Sequence, residues 1–352
     1  MNDLRKRTAD LPGFEQRLLD ELLVLVEREA GSTGGAPSGP RTNRRRRGPW
    51  LVAVAAMAIA IAVALPALLP AGTRTGADPA AAATLHRLAR VALHRRTVDL
   101  PEPGQYVYTR SEYTQTMVYG VDDGSDFRYT EVAVRRIWIA PDGSGRLVEQ
   151  SSDGSFPTPA DEAAWEAAGS PDVGGGRGSD DTYDPGGLFF QDVSGFSTEP
   201  DQLREQVEAL AEKTNESTFE AVGDLLRETY ASPALRAALY DLAASLPDVG
   251  FVGEVTDELG RTGIAVARTA DGMTQELIFN PRTSELLGES DLYVGDQVDI
   301  DAGSAVGTEW STAYVESEVV DSAGPAVIDG LPRSHCVTIA PYTSRCEPVG
   351  GE

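Results

Sequence analysis

Aspartates are the residues whose spacing first suggests chemistry in this sequence. Three of them lie within 122–126 and three within 180–184. Closely spaced carboxylates can bind Ca²⁺, but neither set has the spacing of a twelve-residue EF-hand loop. Both sets lie in stretches rich in turn-forming residues, so we interpret them as solvated turn residues. A pair of glycosidase carboxylates stays open as an alternative, because the two members of such a pair need not be adjacent in sequence.

The histidines and a search for known catalytic motifs give no evidence of an active site. His86 and His94 lie two helical turns apart. His335 precedes Cys336, and neighbouring residues of a strand point in opposite directions. The chain has no GxSxG, HExxH, P-loop, GxGxxG or CxxC motif. We therefore predict that the protein is not an enzyme and has no catalytic residues, no cofactor and no metal site.

A run of twenty uncharged residues, 50–69, predicts a transmembrane helix over 50–70. A helix of about 20 apolar residues crosses the hydrocarbon core of a bilayer. The alternatives are a buried core helix and a cleaved signal peptide, whose apolar stretch is normally shorter and nearer the N-terminus. Cations concentrate before the run, which predicts a cytoplasmic N-terminus and a single-pass protein of the cell membrane. The residues that we interpret as the topology anchor are Arg44, Arg45, Arg46 and Arg47.

The charge of the chain divides at this segment. The formal net charge of the whole chain is −25. Residues 1–49 carry 10 basic and 7 acidic side chains, whereas residues 70–352 carry 20 and 48. A protein that binds nucleic acid through phosphate contacts needs the opposite sign, so we predict no nucleic-acid partner. Contact of the arginine run with nucleic acid is the less favoured alternative to its role in topology.

The N-terminal tail, 1–49, predicts one amphipathic helix and a linker. Apolar residues recur with helical spacing over 11–29, and residues 31–42 are rich in Gly, Ser and Pro before the arginine run. One short helix cannot bury its apolar face alone. The tail therefore needs a partner protein, a second copy of itself or the membrane surface.

The two cysteines, Cys336 and Cys346, are separated by nine residues. On the outer side of a membrane the setting is oxidising, and such a pair predicts one local disulfide. The alternatives are two free thiols, or a metal-binding pair together with His335. No further cluster of metal ligands lies nearby, so we favour the disulfide.

The sequence after the membrane segment predicts an α+β domain. Residues 71–100 hold a membrane-proximal helix and linker, with helical spacing over 80–93. Residues 101–320 predict strands, then helices, then strands, which is typical of an antiparallel sheet covered by helices on one face. Within them, the Gly- and Asp-rich stretch 169–187 predicts a mobile loop. The C-terminal segment 321–352 carries the disulfide.

The apolar periodicity and the turn residues give approximate limits to these elements. The predicted strands are 105–119, 127–140, 146–151, 250–256, 263–268, 274–280, 285–289 and 313–320. The predicted helices are 160–168, 199–213, 218–230 and 233–246.

Five segments carry a resemblance to a known family. They are PEPGQYVYTRSE at 101–112, RRIWIAPDGSGR at 135–146, STEPDQLR at 197–204, LLRETYASPALRAALYDLAASLPDVGFVGEVTDELGRTGIAV at 225–266 and ELIFNPRTSELLGES at 276–290. Together with the tail and the apolar run, they resemble an actinobacterial family of single-pass membrane proteins of unknown function. Its members are often encoded beside extracytoplasmic-function sigma factors. A weaker likeness to the half-barrels of periplasmic lipoprotein carriers and sigma-regulatory sensors implies a half-barrel sheet.

Topology, motifs and resemblance together predict a non-enzymatic, membrane-anchored extracytoplasmic sensor or binding module. Its cytoplasmic tail would regulate a cytosolic partner such as a sigma factor. Residues 1–49 lack the histidine and paired cysteines of zinc-type anti-sigma factors and offer only one helix, so they depart from that class. The first alternative is a carrier that binds lipid or lipoprotein at the cell surface. The second is an enzyme that acts on envelope polymers.

Overall fold

The computed structural model describes residues 76–349 of the chain with ten gaps, which are 96–99, 121–125, 153, 174–175, 191, 228–230, 271, 295–307, 325–330 and 341–342. The helices of this part are α1 (Pro79–Ala92), α2 (Pro159–Ala167), α3 (Pro200–Thr214), α4 (Thr218–Arg227) and α5 (Pro233–Ser245). Its strands are β1 (Tyr106–Gly120), β2 (Asp126–Ile139), β3 (Gly145–Ser151), β4 (Gly178–Tyr183), β5 (Val249–Thr256), β6 (Thr262–Ala270), β7 (Met273–Phe279), β8 (Leu286–Tyr293), β9 (Glu309–Val320), β10 (Arg333–Ala340) and β11 (Thr343–Pro348).

All eleven described strands belong to one open sheet. Its order is β11-β10-β4-β3-β2-β1-β9-β8-β7-β6-β5. Neighbouring strands are antiparallel except β10 and β4, which run parallel. The long strand β1 pairs with β2 on one side and β9 on the other, so it joins the two halves of the sheet. The predicted α+β class with a mainly antiparallel sheet is confirmed.

The helices begin where local sequence signals place them. Four of the five described helices have proline in the first turn, where its missing N–H removes no helical hydrogen bond. The side chain of Thr158 forms a capping box with Asp161 at the start of α2, and Ser232 caps α5. These signals explain why the predicted helix limits lie close to the observed ones.

A hydrophobic core lies between α1, α3, α4 and α5 and one face of the sheet, which we call the helix face. Val266, Leu277 and Phe279 project from the strands into this core. Tyr240 of α5 is completely buried there and donates its hydroxyl proton to the carbonyl of Ser284. The opposite face of the sheet is called the outer face.

Helix α1 is part of this core, which differs from the expected membrane-proximal linker. It packs along α5, and Leu85 and Leu88 are buried. Asp78 accepts hydrogen bonds from the backbone at the start of α1, and its second oxygen accepts the N–H of Phe251 in β5 at 2.6 Å. The predicted helix is present, but it belongs to the α+β domain.

Strand β4 shows that Gly178–Tyr183, within the predicted loop 169–187, is a strand and that Asp180 is not solvated. It lies between β3 and β10 in the sheet, and Asp180 on it is only 2% exposed. Both oxygens of Asp180 accept hydrogen bonds of 2.7 Å from the guanidinium of Arg146, which stacks 5.6 Å from the ring of Trp138. The partner of Asp180 is thus 34 residues away in the chain, so the local Gly and Asp content gave no sign of it.

The described part of the C-terminal segment 321–352 contributes β10 and β11 to the same sheet. Strand β10 pairs with β4 and with β11. Cys336 and Cys346 lie directly opposite each other in the β10–β11 pair and form a disulfide, as predicted. The bond therefore joins the edge strand β11 to the rest of the sheet.

Among the described residues, no helix combines the length and the apolar character that crossing a bilayer requires. The predicted tail 1–49, with its topology anchor Arg44, Arg45, Arg46 and Arg47, and the predicted transmembrane helix 50–70 lie outside the described residues. They stay predictions.

We expect Asp180→Asn to lower the free energy of unfolding by about 3–5 kcal/mol, because it leaves the buried Arg146 guanidinium without a counter-charge. Urea unfolding of the full chain at neutral pH measures this loss. Asp181→Asn is the matched control: its side chain points to the other face, and we expect a change within about 0.5 kcal/mol. Equal losses in the two variants would contradict the structural role of Asp180.

Candidate functional site

The helix face of the sheet is covered in three places. The helical layer lies over β5–β8. A set of aromatic rings in mutual contact, which includes Phe127, Phe156 and Trp165, lies near α2, at one end of the β1–β2 pair. At the other end, Leu188 packs on Ile137 and Ile139. The middle of β1–β3, between these covers, carries polar side chains, and we call this region the groove.

The groove is built from two rows of side chains. Within each row, neighbouring side chains are directly opposite one another on adjacent strands. In the first row Tyr314, Ser111, Arg135 and Glu149 follow one another from β9 through β1 and β2 to β3. In the second row Glu289 of β8 faces Thr312 of β9, which faces Tyr113 of β1. A β-bulge between Arg110 and Ser111 sets the register of the first row. These residues are far apart in sequence, and only the sheet brings them together.

A cavity of about 170 Å³ opens among these side chains. Its lining consists of four hydroxyl-bearing residues, two arginines and two glutamates: Ser111, Tyr113, Thr312, Tyr314, Arg135, Arg227, Glu149 and Glu289. Hydroxyl groups can both donate and accept hydrogen bonds, and guanidinium groups bind carboxylates or phosphates. The cavity therefore suits a small polar ligand.

Arg227 connects the helical layer to the groove. It is the last residue of α4, and its Nη1 donates to Glu289 Oε1 at 2.7 Å. Tyr314 donates its hydroxyl proton to the same oxygen at 2.9 Å, and Arg227 also pairs with Asp224 of its own helix. Glu289 is 6% exposed, so its carboxylate is largely withdrawn from water, whereas the Arg227 side chain is 29% exposed.

On the far side of the cavity, burial raises the pKa of the Tyr113 hydroxyl, and a hydrogen bond to Glu149 and the charge of that carboxylate raise it further. The nearby Arg135 acts in the opposite direction but is a smaller influence. Tyr113 therefore stays protonated across the neutral range. It acts as a hydrogen-bond donor in the wall of the groove.

Beside the groove, Asp291 lies two residues after Glu289 on the same face of β8. Burial is the main cause that raises the pKa of Asp291 to about 7, followed by the negative charge of Glu289. Arg227 lowers this pKa, and Glu220 of α4 raises it. Its Oδ1 is buried and has no hydrogen-bond partner, as is also true of Glu289 Oε2 and Gln275 Oε1.

A second cavity, of about 330 Å³, lies where β3 and β4 meet the turn that contains Gly324, and it is the larger of the two. Its main charged groups, Arg146 and Asp180, are fully engaged with each other, and Arg146 also donates to the carbonyl of Ala323 at 3.1 Å. Because these contacts hold three segments together, we interpret them as structural. The groove, whose lining includes Glu289 with its unpaired buried Oε2, is the better candidate site.

The polar residues that stood out in the sequence lie elsewhere. His86 is 2.7 Å from Asp241, and His335 is 3.3 Å from Asp184; both are exposed pairs outside the groove. Asp126 is at the exposed start of β2, while the rest of its predicted cluster lies outside the described residues. In the described part of the chain, no group of three or more acidic, histidine or cysteine side chains is arranged to hold a metal ion.

Sequence reasoning did not identify Arg135, Glu149, Arg227 or Glu289. One local signal was available for Arg135: on β2 it shares a face with the buried Ile137 and Ile139, where a charged residue is unexpected. The others could not be found because their neighbours are determined by strand order.

No protein-family model and no curated protein sequence matches this chain. The family resemblance of the five sequence segments stays a prediction. The geometry of the groove is thus the basis on which a function can be proposed.

Replacing Arg227 tests whether it anchors the helical layer to the sheet. We expect Arg227→Met to lower the free energy of unfolding by about 1.5–3 kcal/mol, since it deprives the buried Glu289 of a charged hydrogen-bond donor. Arg177→Met removes the exposed pair with Asp172 and should cost less than about 1 kcal/mol. Chemical denaturation of the full chain measures both, and a loss in Arg227→Met no greater than in the control would contradict the anchoring role.

Proposed function

We propose that this protein is a membrane-anchored extracytoplasmic sensor or binding module that holds a small polar envelope ligand in the groove. The observation that carries the proposal is the lining of the groove, in which four hydroxyl-bearing residues lie beside two arginines and two glutamates. Such a lining fixes the orientation of a ligand through several directed hydrogen bonds. The predicted cytoplasmic tail, 1–49, would pass ligand occupancy to a cytosolic partner such as a sigma factor.

The polar lining also separates this proposal from the alternative of a lipid or lipoprotein carrier. An acyl chain needs an apolar cavity, and both cavities described above are lined by charged and hydroxyl-bearing side chains. A half-barrel sheet remains compatible with either function, since the helix face is where a ligand would lie in both.

The alternative of an envelope-polymer enzyme gains one observation, which is that Glu149 and Glu289 line the same cavity. Glycosidases use two carboxylates on opposite sides of the bond that they break. Here Glu289 accepts hydrogen bonds from Arg227 and Tyr314, and Glu149 accepts one from Tyr113. Because these contacts hold each carboxylate in place, we favour binding over catalysis.

A matched pair of arginines on β2 tests ligand binding in the groove. Arg135 lies on the helix face and lines the cavity, whereas Arg136 lies on the outer face. We expect at least one of glucose, glucosamine and glucuronate to bind the full chain in calorimetry, with its Kd raised about tenfold or more in Arg135→Met. Arg136→Met should leave the Kd unchanged.

Two other outcomes would redirect the proposal. Uptake of a fluorescent fatty acid by the full chain, without binding of the three sugars, would favour the lipid carrier. Hydrolysis of an envelope glycan that is lost in both Glu149→Gln and Glu289→Gln would favour the enzyme.

The predicted topology can be tested with single cysteines introduced at Ser38 and Ser170. In intact cells a membrane-impermeant thiol reagent should label the cysteine at position 170, which lies in an exposed turn after α2, and should not label the one at position 38. Both cysteines are placed in the natural chain, whose disulfide leaves no other thiol among the described residues. Labelling at both positions, or release of the α+β domain into the medium, would contradict the anchored topology.

A further inference from the structure

Three buried oxygen atoms next to the groove lack a hydrogen-bond donor. They are Gln275 Oε1, Glu289 Oε2 and Asp291 Oδ1. Gln275 and Glu289 are each only 6% exposed. An unpaired polar atom in a protein interior costs free energy, so three of them in one place require an explanation.

The sheet places the three side chains together on the helix face. Gln275 of β7 lies directly opposite Asp291 of β8, and Glu289 is two residues before Asp291. Residues two apart on a strand are about 7 Å apart and share a face. Gln275 and Glu289 are diagonal neighbours across the two strands, a separation that long side chains can span.

The excess of negative charge around Asp291 is clear from the elements that pack on it. Strands β7 and β9 offer only the neutral Gln275 and Trp310 opposite it. Besides Asp291 itself, the charged and titratable groups of β8 and α4 are Glu289, Tyr293, Glu220, Asp224 and Arg227. One arginine therefore faces four carboxylates when Asp291 is counted, and Glu289 already engages that arginine.

We propose that Asp291 and Glu289 share a bound proton, carried by Asp291 and donated to Glu289 Oε2, so that the wall of the groove responds to the pH outside the cell. None of the three oxygens is exposed to water, so no solvent molecule supplies the missing donor. A proton needs no cavity. It converts the Asp291 carboxylate, which can only accept, into a carboxyl group that can donate a hydrogen bond to Glu289. The raised pKa of Asp291, about 7, agrees with this arrangement.

The proton has a consequence for the link between α4 and the sheet. Glu289 lines the groove and binds Arg227 through Oε1. When Asp291 loses its proton, a second negative charge stands beside Glu289 and competes for Arg227. The hydrogen bond that joins α4 to the floor of the groove is therefore strongest at acidic pH.

The sign of the pH dependence follows from linkage. The pKa of Asp291 is raised above its ordinary value of 3.8, so the folded chain retains a proton that the unfolded chain releases. The contribution of Asp291 to stability is greatest below about pH 4 and falls as the pH rises to about 7. Asp291→Asn cannot ionise, and its amide supplies the missing donor. We therefore expect the melting temperature of Asp291→Asn minus that of the natural chain to increase by several degrees as the pH rises across this range.

Infrared spectroscopy of the full chain detects the proton directly, without any ligand. We expect the C=O band of a protonated carboxyl group to disappear with a midpoint near pH 7. Asp291→Asn should remove this band, and Glu254→Gln, which changes an exposed carboxylate of β5, should retain it. Glu289→Gln should lower the midpoint by at least one pH unit, because it removes the neighbouring charge and supplies a donor.

Two results would overturn the proposal. Absence of the band in the natural chain at pH 6 would mean that the Gln275 amide, turned the other way, supplies the donor. An unchanged midpoint in Glu289→Gln would mean that burial alone perturbs Asp291 and that no proton is shared. Near-ultraviolet circular dichroism confirms that each variant is folded. Because no ligand is used, failure here is distinct from failure of the proposed function.

Discussion

The register of β1 with its two neighbours is the constraint on which the rest of this structure depends. Strand β1 joins the five strands on its β2 side to the five on its β9 side. Ser111 and Tyr113 face the groove only because Arg135 and Tyr314 are aligned with Ser111 across both interfaces. A slip of one residue would turn every one of these side chains to the outer face. The groove therefore depends on the strand register, which brings its residues onto one face, more than on the identity of any single residue.

Arginine side chains connect several elements of this fold, although cations are far fewer than carboxylates in the chain. Arg146 connects β3 to β4 and to the turn at Ala323, and Arg227 connects α4 to β8. Arg261 binds Asp257 and donates to the carbonyls of Tyr314 and Leu287. In each case the planar guanidinium uses several donors at once, which a lysine could not do with the same geometry. These three arginines thus act where elements distant in sequence meet.

Much of the fold, but little of the site, could be predicted from the sequence. Helices α2, α3 and α5 each have a proline in the first turn, and α2 and α5 also have a capping side chain, so local chemistry was sufficient. Strand β4 was missed because its polar sequence, GSDDTY, gives no apolar alternation and its stability comes from the remote Arg146. The groove was missed for a related reason: it is assembled from five strands and the end of one helix, and nothing in a single segment reveals which strands are neighbours.

The two edge strands of the sheet are the places where another chain could add a strand. An open edge normally invites strand addition from another molecule. At β5 the carboxylate of Asp78 already accepts a hydrogen bond from the N–H of Phe251. The pairing register of β5 also shifts between Phe251 and Gly253, which has a φ of 121°. At the other end, β11 has six residues, carries Arg345 and Glu347 and finishes with a proline. One edge is interrupted and the other is short and polar, so neither presents the long regular ladder that edge-to-edge polymerisation requires.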